Sequence, residues 1–110
     1  MKVLHVTISF GHGGRREAIS TLARGLQGLG IESHLCCLDS FDSDADGMSA
    51  FGSAVSLHRN GLFDLAALRR LRRHCRSLGI DVLHAHDAAS EAMCALAMPD
   101  TRTPLLMSFH

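Results

Sequence analysis

A glycine-rich turn near the amino terminus is the first segment of this sequence whose residues could do chemistry. Gly11-His12-Gly13-Gly14 follows a short apolar run and precedes a helical pattern. Glycines here let a ligand approach the backbone, and the free N–H groups of a helix N-terminus favour a phosphate or diphosphate. We predict that Gly13 and Gly14 bind a diphosphate, and a plain βα turn is the alternative.

The turn does not match the two common phosphate-binding motifs. No G-x-x-x-x-G-K-[ST] segment is present, and G-x-G-x-x-G is only half met, because Arg16 stands where the third glycine belongs. Asp39 could take the place of the ribose-binding acid of a dinucleotide site, but it comes late after the turn. The pattern therefore disfavours a dinucleotide ligand.

His84, His86 and Asp87 form the second candidate group. His84 and His86 share one face of a strand by the two-residue period. Such a pair can bind a metal, but a third ligand would have to come from elsewhere in the chain. We therefore expect no metal. We interpret His84 as packed in the sheet, and His86 and Asp87 as polar groups lining a cleft.

The acidic segment after residue 40 imitates the start of a calcium-binding loop. Asp42, Asp44 and Asp46 alternate before Gly47, but the twelfth position is Ser53, where a calcium loop needs a bidentate glutamate. We interpret the segment as an acidic surface loop.

Composition excludes several classes of function. Eleven basic residues balance eleven acidic ones, and aromatic residues are scarce, so we expect no nucleic-acid partner. The four cysteines lack C-x-x-C spacing and are expected to be buried thiols in a reducing cytoplasm. A basic helix face offers a peripheral contact with a membrane through Arg69, Arg70 and Arg73, although such a face is more often simply solvated.

Apolar periodicity predicts five strands separated by helices. The predicted strands are 2–8, 31–38, 54–58, 80–85 and 104–109, and the predicted helices are 15–30, 62–78 and 87–98. We expect residues 39–52 to form a loop. The apolar stripe of the 62–78 helix is predicted to contain Leu65, Leu68, Leu71, Cys75 and Leu78.

Strands that alternate with helices imply parallel pairing with right-handed crossovers. We predict an α/β fold: a three-layer, Rossmann-like, doubly wound parallel sheet of five strands in the order 3-2-1-4-5. The ligand crevice of such a sheet lies outside the carboxyl ends of strands 1 and 4. The residues that we expect there are Ser9 to Gly14, His86 and Asp87, with His110 one strand further along.

The assembled pattern resembles the N-terminal domain of family-4 glycosyltransferases of the GT-B fold. The matching segments are KVLHVTISFGHGG, REAISTLARGLQGLGIESHLCCL, LRRLRRHCRSLGIDVLHAHD and PLLMSFH. Their order and spacing match a family pattern of strand, Gly-Gly turn, helix, a D-V-[VL]-H-x-H strand and a final P-x-[IVL]-x-[ST]-x-H. Only the 39–52 segment falls outside the likeness.

The resemblance implies an enzyme that transfers a sugar from a nucleotide-sugar donor, usually with retention and without a metal or other cofactor. It implies that Gly13 and Gly14 approach the donor diphosphate and that His110 contacts the transferred sugar. His86 and Asp87 match positions at the edge of the acceptor cleft. Arg15 is placed there as well, although the residue after the glycines varies within the family.

The sequence lacks the family's C-terminal donor-binding domain and its Glu-x7-Glu motif. We therefore expect residues 1–110 to be a partial, acceptor-side domain that is inactive alone. The expected acceptor is a glycan or a lipid-linked sugar of cell-surface polysaccharide synthesis. The alternatives are a non-catalytic Rossmann-like nucleotide-binding module and, ranked last, a flavodoxin-like regulatory domain.

Overall fold

The computed structural model describes residues 1–11, 14–42, 47–61, 64–98 and 103–108. Within these residues, five strands and three α-helices follow one another along the chain. They are β1 (Lys2–Phe10), α1 (Gly14–Gly28), β2 (Glu32–Phe41), β3 (Ala54–Ser56), α2 (Leu65–Leu78), β4 (Val82–Ala85), α3 (Ala88–Ala97) and β5 (Leu105–Met107). A short 3-10 turn, Met48–Ala50, precedes β3.

The strands form one parallel sheet in the order β3-β2-β1-β4-β5, which confirms the predicted topology. Alternate residues of the central strands β1 and β2 enter two separate cores, as the two-residue period of a strand requires. Leu4, Val6 and Cys36 pack with residues of α2 and α3 on one face. On the other face, Phe10 and Leu35 pack with Ile19 of α1. The molecule therefore has three layers.

Glycines end two of the helices where the sequence predicts a stop. Gly79 has a φ of 67° and donates its N–H to the last carbonyls of α2, which is the left-handed C-cap conformation that glycine adopts without strain. Gly30 follows α1 with a φ of 80°. After these two stops the chain enters β2 and β4, whose first residues lie together at the amino-terminal ends of the parallel strands.

Strands β1 and β2 run further than the sequence predicts. The register shifts after Thr7, and pairing then resumes between Ser9 and Ser40 and between Phe10 and Phe41. The prediction that residues 39–41 belong to a loop was wrong. Ser40 and Phe41 continue the pairing with β1, and Phe41 also packs against the core on the α1 side of the sheet. Asp44 and Asp46 of the calcium-like segment lie outside the described residues.

The predicted apolar stripe of α2 was wrong at its first position. Leu65 is 68% exposed, whereas Ala67, Leu71 and Cys75 are buried. The helix starts at Leu65, and Asp64 caps it by accepting a hydrogen bond from the N–H of Ala67. In the first turn of α2 the side chain of Leu65 therefore faces solvent, whereas Ala67 packs into the core.

The basic face of α2 is divided between solvent and the fold. Arg69 and Arg73 are exposed. Arg70 is exposed over 44% of its side chain, and its guanidinium donates a hydrogen bond to the carbonyl of Leu57, which fastens the helix to the segment after β3. Within the described residues, no helix is long and apolar enough to cross a membrane.

Candidate functional site

The candidate site lies at the carboxyl ends of β1 and β4, where the sheet changes its direction of growth. β1 ends at Phe10 and leads into α1, and β4 ends at Ala85 and leads into α3. The two strands are paired neighbours, so two chain segments diverge from this edge to opposite faces of the sheet. A crevice at such a point is the usual ligand position of an open α/β sheet.

Asp87 fastens the two sides of this edge together. One carboxylate oxygen accepts a hydrogen bond from the N–H of Ser90 at 2.7 Å, which caps α3. The other accepts from the N–H of Ile8 at 2.9 Å and from the hydroxyl of Thr7 at 3.2 Å, so it binds the end of β1. The sequence places Asp87 at the cleft, and the structure adds that its carboxylate holds the cleft's two walls in position.

His86 lies beneath this edge rather than on an open wall. Its side chain is 1% exposed, and its backbone N–H donates to the carbonyl of Val6. Its ring contacts His5 and stacks on His84 with the ring centroids 4.1 Å apart. Contact between His86 and an acceptor stays a prediction, and in the described part of the chain the residue belongs to a buried histidine cluster.

This histidine cluster, defined as His5, His84 and His86, joins β1 to β4. The register places His5 opposite His84. Nδ1 of His5 and Nε2 of His86 are 3.0 Å apart, so one nitrogen is protonated and donates to the other. Burial, and then the neighbouring His84, lower the pKa of His5 to about 4, which keeps its imidazole neutral near pH 7.

Two serines hold the outer sides of the cluster. Ser33 of β2 lies 3.1 Å from Nε2 of His5, and Ser108, just after β5, contacts Nε2 of His84 at 2.5 Å. The contacts of the cluster therefore reach from β2, across β1 and β4, to the residue after β5. His5 was not predicted as a partner of His84 and His86. The predicted neighbour relation of strands 1 and 4 was the signal that could have identified it.

The structure describes only some of the residues that we predicted to contact the donor diphosphate or the transferred sugar. Gly14 is the first residue of α1, as a ligand-binding helix start requires. Gly13, His110 and the side chain of Arg15 lie outside the described residues, so their predicted roles stay predictions. Asp39, considered for a ribose contact, forms a two-point ion pair with Arg59, with nitrogen–oxygen distances of 3.0 and 3.2 Å.

A cavity of about 320 Å³ opens beside the carboxyl ends of β1 and β2. Its walls combine two aromatic rings, two serines and a carboxylate; they are Ser9, Phe10, Gly11, Ser40, Phe41 and Asp42. Apolar surface with a few polar groups is the usual character of a small-molecule site. Most of its lining belongs to the final residues of β1 and β2, which lie beyond the predicted ends of these strands.

Comparison with solved structures supports the fold. The crystal structure of a glycosyltransferase from Rickettsia africae ESF-5 matches 99% of this chain with a TM-score of 0.70 and 16% sequence identity. The match covers 29% of that protein, so the present chain spans less than a third of its length. Among curated proteins, no sequence matches this chain significantly.

The family comparison covers the part of the chain that contains the candidate site. The family model "Glycosyltransferase Family 4" matches residues 12–110, which include α1, β4 with its histidines, α3 and β5. The match, the strand order and the likeness to a solved glycosyltransferase agree with the resemblance seen in the sequence. This chain belongs to glycosyltransferase family 4.

Proposed function

We propose that this chain is the acceptor-side part of an enzyme that transfers a hexose from a nucleotide sugar to a glycan or lipid-linked acceptor in cell-surface polysaccharide synthesis. The observation that carries the proposal is the family match over a chain whose β1 and β4 meet at the switch point of the sheet. The rest of the donor site belongs to a second domain that is not part of these residues.

The start of α1 is our candidate for the donor diphosphate. Two helices start at this edge, and the N-terminus of α3 already holds the carboxylate of Asp87. We therefore assign the diphosphate to the Gly13-Gly14 turn and the first N–H groups of α1. Backbone donors and the helix dipole would stabilise the negative charge that grows on the diphosphate as the sugar leaves.

His110 and the cleft edge complete the proposed reaction. His110 follows β5, the strand beside β4, and would orient the sugar during transfer. The acceptor would lie against Arg15 and Asp87, above the buried His86 and next to the cavity lined by Phe10 and Phe41. The tie from Asp87 to Thr7 and Ile8 would keep this surface rigid during the reaction.

The test is a transfer assay on the full-length protein with a panel of nucleotide sugars. The measured quantity is nucleoside diphosphate released, with and without added glycan or lipid-linked acceptors. We expect one donor to give acceptor-dependent release. Tight nucleotide binding without release from any donor would favour the alternative, a non-catalytic nucleotide-binding module.

We also propose that the enzyme works in the cytoplasm, at the inner membrane face, with Arg69 and Arg73 of α2 against anionic lipid. Both side chains are exposed and lie one helical turn apart. Each basic group near an anionic surface contributes about 1 kcal/mol. Arg69→Glu with Arg73→Glu should abolish sedimentation with vesicles rich in acidic lipid, whereas Arg24→Glu, an exposed site on α1, should not. Equal sedimentation of both variants would contradict the proposal.

A further inference from the structure

The histidine cluster has the composition and placement of a transition-metal site. One ring nitrogen from each of His5, His84 and His86 lies within 4.8 Å of those of the other two. His84 lies on β4, His86 directly follows this strand, and His5 is the residue of β1 that pairs with His84. Three imidazoles of this kind form a common protein ligand set for zinc, as in carbonic anhydrase.

We infer that His5, His84 and His86 form a binding site for one divalent cation of the zinc class. Imidazole donors without a carboxylate favour Zn²⁺, Ni²⁺, Cu²⁺ or Co²⁺ over Mg²⁺ and Ca²⁺. The inference goes beyond the proposed sugar transfer and does not depend on it, because binding is measured without a nucleotide sugar.

The surroundings of the cluster suit a metal ligand set. Histidine ligands are usually oriented by a hydrogen bond from the second ring nitrogen to an outer partner. Ser33 occupies that position for His5, and Ser108 contacts the ring of His84. Phe51 packs edge-on against the His5 ring, with centroids 6.0 Å apart, and limits water on that side.

The cluster must change in one respect to bind a cation. The His84 and His86 rings are stacked, so their nitrogens do not aim at one point, and one ring must turn about its side-chain bonds. His84 is the ring with room to do so, because it is half-buried whereas His5 and His86 are buried. Binding would also replace the proton shared between His5 and His86. Because His5 lies on β1 and His84 on β4, a bound cation would link these two strands directly beneath the cleft.

The test is a cobalt titration of the full-length protein, free of any histidine tag and dialysed against a chelator. Calorimetry gives the stoichiometry, and visible absorption reports a tetrahedral cobalt centre. We expect one Co²⁺ per chain, displaced by one equivalent of Zn²⁺ and not by excess Mg²⁺. His84→Asn should weaken binding by about a hundredfold, since losing even an outer partner of a ligand costs roughly 10- to 100-fold.

Two further variants separate ligation from folding. His58→Asn removes an exposed histidine with a φ of 49°, a conformation that asparagine tolerates, and should leave the titration unchanged. His84→Cys should restore cobalt binding and add a thiolate-to-cobalt charge-transfer band in the near ultraviolet. The inference would be overturned by weak, multi-site cobalt binding in the wild type, or by tight binding that His84→Asn leaves unchanged while circular dichroism shows a folded chain.

Discussion

At the residue scale, the candidate site depends on a few buried polar groups whose partners come from distant parts of the sequence. Asp87 binds Thr7 and Ile8, and His5 binds Ser33 and His86. Buried polar groups of this kind are costly unless each one is hydrogen-bonded. The polar contacts therefore fix the position of β1 relative to β4 and α3 more tightly than apolar packing alone would.

Replacing Asp87 tests this fastening role. Asp87→Ala removes the cap of α3 and leaves the N–H of Ile8 without its partner, so we expect a loss of about 2 to 3 kcal/mol in the free energy of unfolding. Asp87→Asn retains one carbonyl oxygen and should lose less. Urea unfolding followed by circular dichroism measures both. Equal stability of Asp87→Ala and wild type would show that the contacts with β1 and α3 contribute nothing.

The buried thiols provide a prediction at alkaline pH. Burial, and then the nearby Asp87 and Asp39, raise the pKa of Cys37 from 9.0 to about 12, and burial raises that of Cys75 to about 11. A thiol with a raised pKa in the folded state favours folding below pH 9, and this contribution is lost as the pH rises from 9 towards the folded-state value. For Cys37 alone the loss reaches about 2 kcal/mol near pH 10.5, at about 1.4 kcal/mol per pKa unit.

Urea unfolding at pH 8 and near pH 10.5 checks this effect, with Cys37→Ala as the comparison. The variant should be less stable at pH 8 because a buried side chain is truncated, yet lose less stability on going to the higher pH. A pH dependence identical to that of the wild type would contradict the assignment to Cys37. Thiol reagents at pH 8 should likewise modify the cysteines only after unfolding, because the thiolate is the reactive form.

At the element scale, the helices are positioned by apolar faces that only partly follow the sequence pattern. In α1, Ile19 and Ala23 are buried, but the apolar Leu22 is 36% exposed. In α2, Leu71 is fully buried and Leu65 is 68% exposed. Helical periodicity identifies the apolar face of a helix, and tertiary packing decides which residues of that face are covered.

A matched pair of substitutions in α2 tests this difference. Leu71→Ala should lower the free energy of unfolding by about 3 kcal/mol, because it removes a buried side chain and leaves a cavity. Leu65→Ala makes the same chemical change on the same helix and should cost less than about 0.5 kcal/mol. Thermal or urea unfolding gives both values. Similar losses for the two variants would show that the first turn of α2 is packed rather than exposed.

The sequence predicts the elements and their order but not all of the contacts at their ends. Alternating strands and helices with glycine stops are enough to obtain the order 3-2-1-4-5, because chain handedness leaves few topologies. The extension of β2 to Phe41 was missed, since Asp39 and Ser40 are polar and local pattern treats them as loop. Only pairing with Ser9 and Phe10 of β1 makes them strand, and pairing is a non-local property.

The candidate site, like the fold, was predicted from the sequence only in part. The positions of Gly14 and Asp87 at the sheet edge follow from topology, because strand ends meet at one edge. The burial of His86 and the arrival of His5 beside it do not, because they require the register between β1 and β4. Sequence spacing gives the face on which His84 and His86 lie, but it does not give the residue opposite them.

At the scale of the whole molecule, the chain is a three-layer domain of glycosyltransferase family 4. It covers less than a third of the solved glycosyltransferase to which it is similar. We propose that the reaction takes place in the cleft beyond β1, β4 and β5, and that a further domain supplies most of the donor contacts. We propose further that His110, which follows β5 in the sequence, orients the transferred sugar.

The most direct test is the rate of sugar transfer by the full-length enzyme with His110→Ala, compared with Gln27→Ala, a change at an exposed residue near the C-terminal end of α1, at the opposite edge of the sheet. We predict that His110→Ala lowers kcat by about a hundredfold or more, a loss typical of removing one transition-state contact. The KM for the nucleotide sugar should change little, since we expect most donor binding to lie in a further domain, and Gln27→Ala should match the wild type. Unchanged transfer by a folded His110→Ala enzyme would contradict the account.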